Sequence, residues 1–167
     1  MKTGLPFVFS NFAMTADGKI AFAGGKFIPF GSPRDLEHLY ELRATADAII
    51  CGAGTVQATG TILGNGGEKF RKSRLKNGLA EFPLRIVVSG GGSIHPRAKI
   101  FQKRFSPVIV LTTERISKAK LKSLRAIAEV EIFGEREIDF SAAFRRLRKK
   151  WNIKKLLCEG GGELHNA

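Results

Sequence analysis

Short apolar runs alternate along this chain with stretches whose apolar positions recur at helical spacing. Phe7-Val8-Phe9-Ser10-Asn11-Phe12-Ala13 is rich in aromatic and β-branched residues and predicts a first strand. Ala48 to Cys51, Leu84 to Val88, Val108 to Leu111, Val130 to Phe133 and Lys155-Leu156-Leu157-Cys158 predict five more. Between them, Ser32-Pro33-Arg34-Asp35 has the features of a helix start, with serine at the cap, proline at the first helical position and a carboxylate three residues past the cap. Leu36, Leu39, Tyr40 and Ala44 then share a face. Ser117 caps a second helix carrying Leu121, Leu124 and Ile127. A third places Phe140, Phe144, Leu147 and Trp151 on one side.

Two stretches break the rhythm. Asp17-Gly18 signals a turn, and Gly24-Gly25 keeps the following segment looped. From Ala58 to Phe82 the periodicity is lost among Gly60, Gly64, Gly66, Gly67 and a run of cations. This predicts a long mobile loop beside the site, because loops of that length are functional or disordered. Strands alternating with helices predict an α/β fold, a largely parallel central sheet flanked by helices. The 167 residues suffice for one domain, 1–167, with a core of its own.

Composition changes the picture in one respect. Lys and Arg number 28 against 15 Asp and Glu, a formal net charge of +13, which raises nucleic acid as a partner and equally suits a phosphorylated small molecule. The cations are dispersed, and the densest group, Arg145 to Lys150, falls on the polar side of the third helix, where a solvated face accounts for it. Few aromatics are interleaved with them, which argues against a single-strand stacking surface. No apolar run approaches the roughly 20 residues that cross a bilayer, and no secretory leader is recognisable at the N-terminus. Cys51 and Cys158 each end a predicted buried strand and read as reduced core residues of a cytoplasmic protein. His38, His95 and His165 have no mutual spacing for a metal, and surface positions are expected for them.

The candidate chemistry lies at two glycine elbows. One is Glu159-Gly160-Gly161-Gly162-Glu163 after the last strand; the other is Gly52-Ala53-Gly54-Thr55-Val56 after the second. Glycine lets the backbone turn sharply and lets a ligand approach, and N–H groups at a helix start attract anions. On neighbouring strands the two would hold a dinucleotide diphosphate; on spacing alone, tight turns without a ligand explain them equally well. The Rossmann fingerprint does not fit, since Gln57 stands where its third glycine belongs. Glu159 ends a buried strand and needs a partner.

Taken together, Met14 to Ala21, Asp47 to Val56, Leu84 to Ser89 and Leu157 to Leu164 resemble the reductase of riboflavin biosynthesis, a relative of dihydrofolate reductase that in bacteria is often the C-terminal half of a bifunctional deaminase/reductase. The resemblance implies a dihydrofolate-reductase-like sheet with NADPH across its strand ends. Gly52, Gly54, Thr55, Gly160, Gly161, Gly162 and Glu163 would hold the diphosphate. Ser89, Gly90, Thr112 and Thr113 would lie near the adenosine and its 2′-phosphate, and Ala13 and Ile20 would face the nicotinamide. Asn11, Asp17, Ser32, Arg43 and Glu159 would line a pocket for a phosphoribosylaminopyrimidine, whose sugar is reduced to a ribityl chain. No metal is expected, and a homodimer is the expected assembly. A pteridine-type reductase of the same fold and a non-catalytic nucleotide- or nucleic-acid-binding module are the alternatives. Two departures stand out. The family's Asp-x-Pro-x-Leu segment is replaced by Ala58-Thr59-Gly60-Thr61-Ile62-Leu63, without acid or proline, and the chain stops where the family continues with a helix and closing strands, which predicts a truncated C-terminus with an unpaired sheet edge.

Overall fold

The computed structural model describes residues 4–19 and 31–166. Its centre is a six-stranded sheet in the order β1-β6-β2-β3-β4-β5, with every pairing parallel. The strands are β1 (Phe7–Ser10), β2 (Ala48–Gly52), β3 (Leu84–Val88), β4 (Val108–Thr112), β5 (Glu129–Ile132) and β6 (Lys155–Cys158). Parallel strands covered on both faces read as unbroken apolar runs, and this is why the short runs were legible. In β2, Ile49 and Cys51 face one core while Ala48 and Ile50 face the other.

Seven helices connect these strands among the described residues: α1 (Pro33–Arg43), α2 (Ala53–Thr59), α3 (Glu68–Lys76), α4 (Lys99–Gln102), α5 (Lys118–Arg125), α6 (Phe140–Trp151) and α7 (Gly162–His165). From β2 to β5 the chain steps across the sheet in one direction, and Val56 of α2, Ile100 of α4 and Leu124 of α5 fill the first core. It then returns from β5 to the gap between β1 and β2. A crossover of constant hand must place the returning helix on the opposite face. Ala143 and Leu147 of α6 accordingly lie in the second core, and Leu164 of α7 packs against it. α2 therefore leaves β2 toward one face while α7 leaves neighbouring β6 toward the other. Ligands of open α/β sheets bind in the crevice that such a divergence creates.

Local signals account for the helix ends. The Ser32 hydroxyl accepts from Asp35 N at 3.1 Å, and Asp139 caps α6 through Ala142 N at 2.9 Å. Asn152 closes α6 in the left-handed conformation, with φ of 53°. The cations of α6 do form a solvated face, and Arg146 and Lys150 pair with Glu129 and Glu131 of β5. Cys51 and Cys158 are buried and free. β1 is an edge strand, with Phe7 66% exposed and stacked on Phe9. The Gly24-Gly25 loop lies outside the described residues.

The stretch from Ala58 to Phe82 is where expectation and structure part. It is not a long loop. It completes α2, forms α3, and orders the turn between them. α3 escaped the sequence pattern because its inner positions are Phe70 and Arg74, and a buried arginine does not register as apolar. In the turn, the Thr59 hydroxyl donates to Thr55 O at 2.9 Å and accepts from Thr61 N at 3.1 Å, and the Thr61 hydroxyl accepts from Leu63 N at 3.3 Å. Leu63 itself is fully buried with φ of 51°, a left-handed conformation that its apolar contacts must hold in place. Leu63→Ala is accordingly expected to cost about 2–5 kcal/mol, as in a core and unlike a surface loop. Urea denaturation measures it, and a loss within about 0.5 kcal/mol would restore the mobile loop.

Candidate active site

The two glycine elbows are neighbours. β2 and β6 run in register, Ile50 beside Cys158, and their pairing continues past the strand ends. Glu159 N donates to Ile50 O at 2.9 Å, and Gly52 N donates to Gly160 O at 2.9 Å. Gly160 and Gly161 have φ of 99° and 92°, conformations that other residues rarely adopt. A Cβ on Gly161 would stand 2.9 Å from the Thr55 hydroxyl, whereas one on Gly54 would meet nothing within 4 Å. Thr55 thus touches both elbows, and Gly54 faces open space at the start of α2.

Beside the elbows lies a cleft of about 770 Å³, lined in part by Tyr40, Arg43, Cys51, Thr55, Thr59 and Glu159. Arg43 and Glu159, 116 residues apart, meet here. Arg43 Nε donates to one Glu159 oxygen at 2.6 Å and Nη2 to the other at 2.5 Å, while Nη1 donates to Gly64 O at 2.8 Å. Both side chains are more than 90% buried. The guanidinium fork matches the carboxylate, so each charge is neutralised by the other and by hydrogen bonds. Glu159 therefore presents itself to the cleft as half of an ion pair, not as a free acceptor. Burial, with help from Glu159 and Cys158, pushes the Cys51 thiol up to about 12.

The other expected site residues are distributed as follows. Ser32 is occupied as the cap of α1, and Asp17 lies in an exposed turn beside Thr15 and Lys19, which holds its carboxyl below the usual range. Neither these two nor Asn11 line the cleft with Arg43 and Glu159. Ala13 is exposed, and Ile20 lies outside the described residues. Thr112 and Thr113 are fully buried, and both hydroxyls donate to Gly90 O, at 2.9 and 2.8 Å. Ser89 is buried and accepts from Ile94 N at 3.1 Å. These hydroxyls shape the edge, and the part left open to a ligand is the backbone at Gly90 and Gly91, where a Cβ would meet nothing within 4 Å. Gly162 and Glu163 form the first turn of α7.

Sequence reasoning missed several members. The helical pattern puts Tyr40 on the inner face of α1, but nothing in it marks the partners it finds there, Phe70 and Arg43. Nothing local marks Phe82 or Phe105, whose rings meet at 4.7 Å and join the lining. His165, expected at the surface, is half-buried against Phe12 with ring centroids 3.7 Å apart, and its Nδ1 donates to Gly161 O at 3.1 Å. No cluster of metal-ligating side chains occurs among the described residues.

Comparison with known proteins agrees with this architecture. A profile of the RibD C-terminal domain matches residues 6–167. The 2,5-diamino-6-ribosylamino-4(3H)-pyrimidinone 5′-phosphate reductase of Archaeoglobus fulgidus is 33% identical over 159 residues, covering 95% of this chain and 72% of that protein. Its namesake from Methanothermobacter thermautotrophicus is 31% identical, covering 96% and 69%. The crystal structure of a pyrimidine reductase-like protein from Corynebacterium diphtheriae superposes with a TM-score of 0.77 at 22% identity, covering 93% of this chain and 66% of that one, which shows the shared fold.

Two outcomes test the site's electrostatics. Arg43→Met would strand a buried carboxylate, so a loss of about 3–5 kcal/mol is expected by chemical denaturation; a loss below about 1 kcal/mol would mean that water reaches Glu159 freely. The raised Cys51 thiol is neutral at ordinary pH, so iodoacetamide should modify it far more slowly than a free cysteine. Its contribution to stability is complete below its ordinary 9.0 and is lost as pH climbs toward about 12. Rapid labelling near neutral pH would show that the thiol is not buried.

Proposed function

The chain belongs to the RibD C-terminal domain family, and we propose that it is the NADPH-dependent reductase that converts the ribose of a phosphorylated ribosylaminopyrimidine into a ribityl chain. One observation carries this reading: two glycine elbows, paired across β2 and β6, border a cleft containing a buried Arg43–Glu159 ion pair. The relatives named as reductases of a ribosylaminopyrimidinone phosphate support the substrate class.

A reductase of this kind takes its hydride from a nicotinamide dinucleotide, which would deliver it to C1′ of the opened, imine form of the sugar while the nitrogen gains a proton. The residues present suit such a group: Gly54 leaves room at the start of α2 that any side chain would fill, and Gly160 and Gly161 hold a turn open opposite it. Gly52, Gly54 and Thr55, with residues 160–163, would hold the diphosphate. Thr55 spans the elbows and the cleft and so sets the distance between the two ligands. Arg43 and Glu159 offer the substrate a charged but internally neutral surface that needs no reorganisation when the pyrimidine and sugar bind. The chain's contribution is chiefly orientation.

The preference for NADPH over NADH rests on the strand ends of β3 and β4. No carboxylate occurs from Ser89 to Gly92 to claim a ribose 2′-hydroxyl, and the protein is strongly basic. The same reading makes the enzyme a cytoplasmic homodimer. No helix among the described residues is long and apolar enough to cross a membrane.

Steady-state kinetics with both cofactors should show NADPH preferred, and a clear preference for NADH would remove the assignment of these strand ends. Gly54→Val should weaken NADPH binding by about tenfold or more without lowering the thermal midpoint, because valine is no poorer a helix former than glycine. Gly161→Val is the less informative probe, since its positive φ would cost stability whatever the ligand. Unchanged NADPH affinity in folded Gly54→Val would refute the phosphate role of the first elbow.

A further inference from the structure

Two arginines are fully buried behind the cleft without lining it. Arg74 of α3 donates through Nη1 to Arg43 O at 2.6 Å and Ala46 O at 2.7 Å, and through Nε to Ala80 O at 2.8 Å. Arg85 of β3 donates to Ile100 O at 2.7 Å, to Lys103 O at 2.8 Å, and to Ser106 through both its hydroxyl and its carbonyl. Its guanidinium also stacks 4.3 Å from the centre of the Phe105 ring. Among the described residues neither arginine makes a salt bridge, and burial lowers each to about 10, so both stay charged at neutral pH in surroundings that disfavour charge. Backbone carbonyl oxygens and, for Arg85, the Ser106 hydroxyl compensate them through direct bonds.

Apart from Ala80 O, those carbonyls lie in or beside two segments that contribute residues to the cleft. Arg74 binds the last turn of α1 at the backbone of Arg43, whose own head group clasps Glu159 and the Gly64 carbonyl. Arg85 binds the turn on both sides of Phe105, which packs on Phe82 in the lining. We propose that Arg74 and Arg85 are positioning residues for the substrate side of the site: each fixes, through backbone carbonyls, the segment that presents a cleft residue. A lysine cannot reproduce this, because its single ammonium lacks the rigid planar fork that spans several acceptors. The proposal rests on the cleft being the substrate site.

The test compares Arg74→Lys and Arg85→Lys with Leu147→Ala, which opens a cavity in the second core on the far face of the sheet, all in the full-length enzyme. All three should lower the thermal midpoint. Only the lysine variants should raise KM for the ribosylaminopyrimidine phosphate, by about tenfold, with KM for NADPH changed less than about twofold. An unchanged substrate KM in both lysine variants, or an equal rise in Leu147→Ala, would reduce the arginines to struts of the fold. Absence of any turnover by the unmodified enzyme would instead refute the substrate reading. The positioning role is then decided without substrate, by iodoacetamide labelling of Cys51 in the cleft. Labelling about tenfold faster in the lysine variants than in Leu147→Ala supports it, and equal rates overturn it.

Discussion

The insertion of β6 between β1 and β2 brings together segments more than a hundred residues apart, and the candidate site follows from it. Once Ile50 and Cys158 are in register, the hydrogen bonds Glu159 N to Ile50 O and Gly52 N to Gly160 O extend the ladder beyond the strands. They align the two glycine turns at the place where the following helices diverge. The same register carries Glu159 to the face on which α1 presents Arg43. A strand slipped by one residue would send that carboxylate to the opposite face.

Charge is then handled inside the protein to a degree its basic surface does not suggest. Arg43, Arg74 and Arg85 are all buried, and among the described residues only Arg43 is paired with a carboxylate. Desolvating a guanidinium costs several kcal/mol, and hydrogen bonds to carbonyls offset that only where their geometry is fixed. The energetic return is rigidity: Arg43 ties α1 to the turn after α2, Arg74 ties α3 to the end of α1, and Arg85 ties the turn after α4 to β3. Ordered walls reduce the entropy lost when a ligand binds, which is how a site acting mainly by orientation gains rate.

The glycine elbows, the caps at Ser32 and Ser117, and the six strands were legible because each rests on local chemistry. A buried parallel strand must be apolar throughout, and a helix start must satisfy its free N–H groups. The Ala58 to Phe82 stretch misled for the complementary reason. Its order comes from Leu63 in the core, from Arg43 reaching Gly64 O, and from Arg74 reaching the end of α1, none of which leaves an apolar period in the sequence. Among the proposed strand-end ligands, the hydroxyls of Thr112 and Thr113 look available in the sequence and are consumed by Gly90 in the structure.

By itself the sequence determined the α/β class, the positions of the strands and of three helices (α1, α5 and α6), and the two glycine turns, since these depend on residues within a few positions of one another. Tertiary structure alone decided that the turns are adjacent, that Glu159 is spent on Arg43, and that Asp17 and Ser32 stand apart from them. Those outcomes depend on strand order and side-chain reach across the sheet. Distances of that kind are fixed only when the whole chain has closed around its two cores.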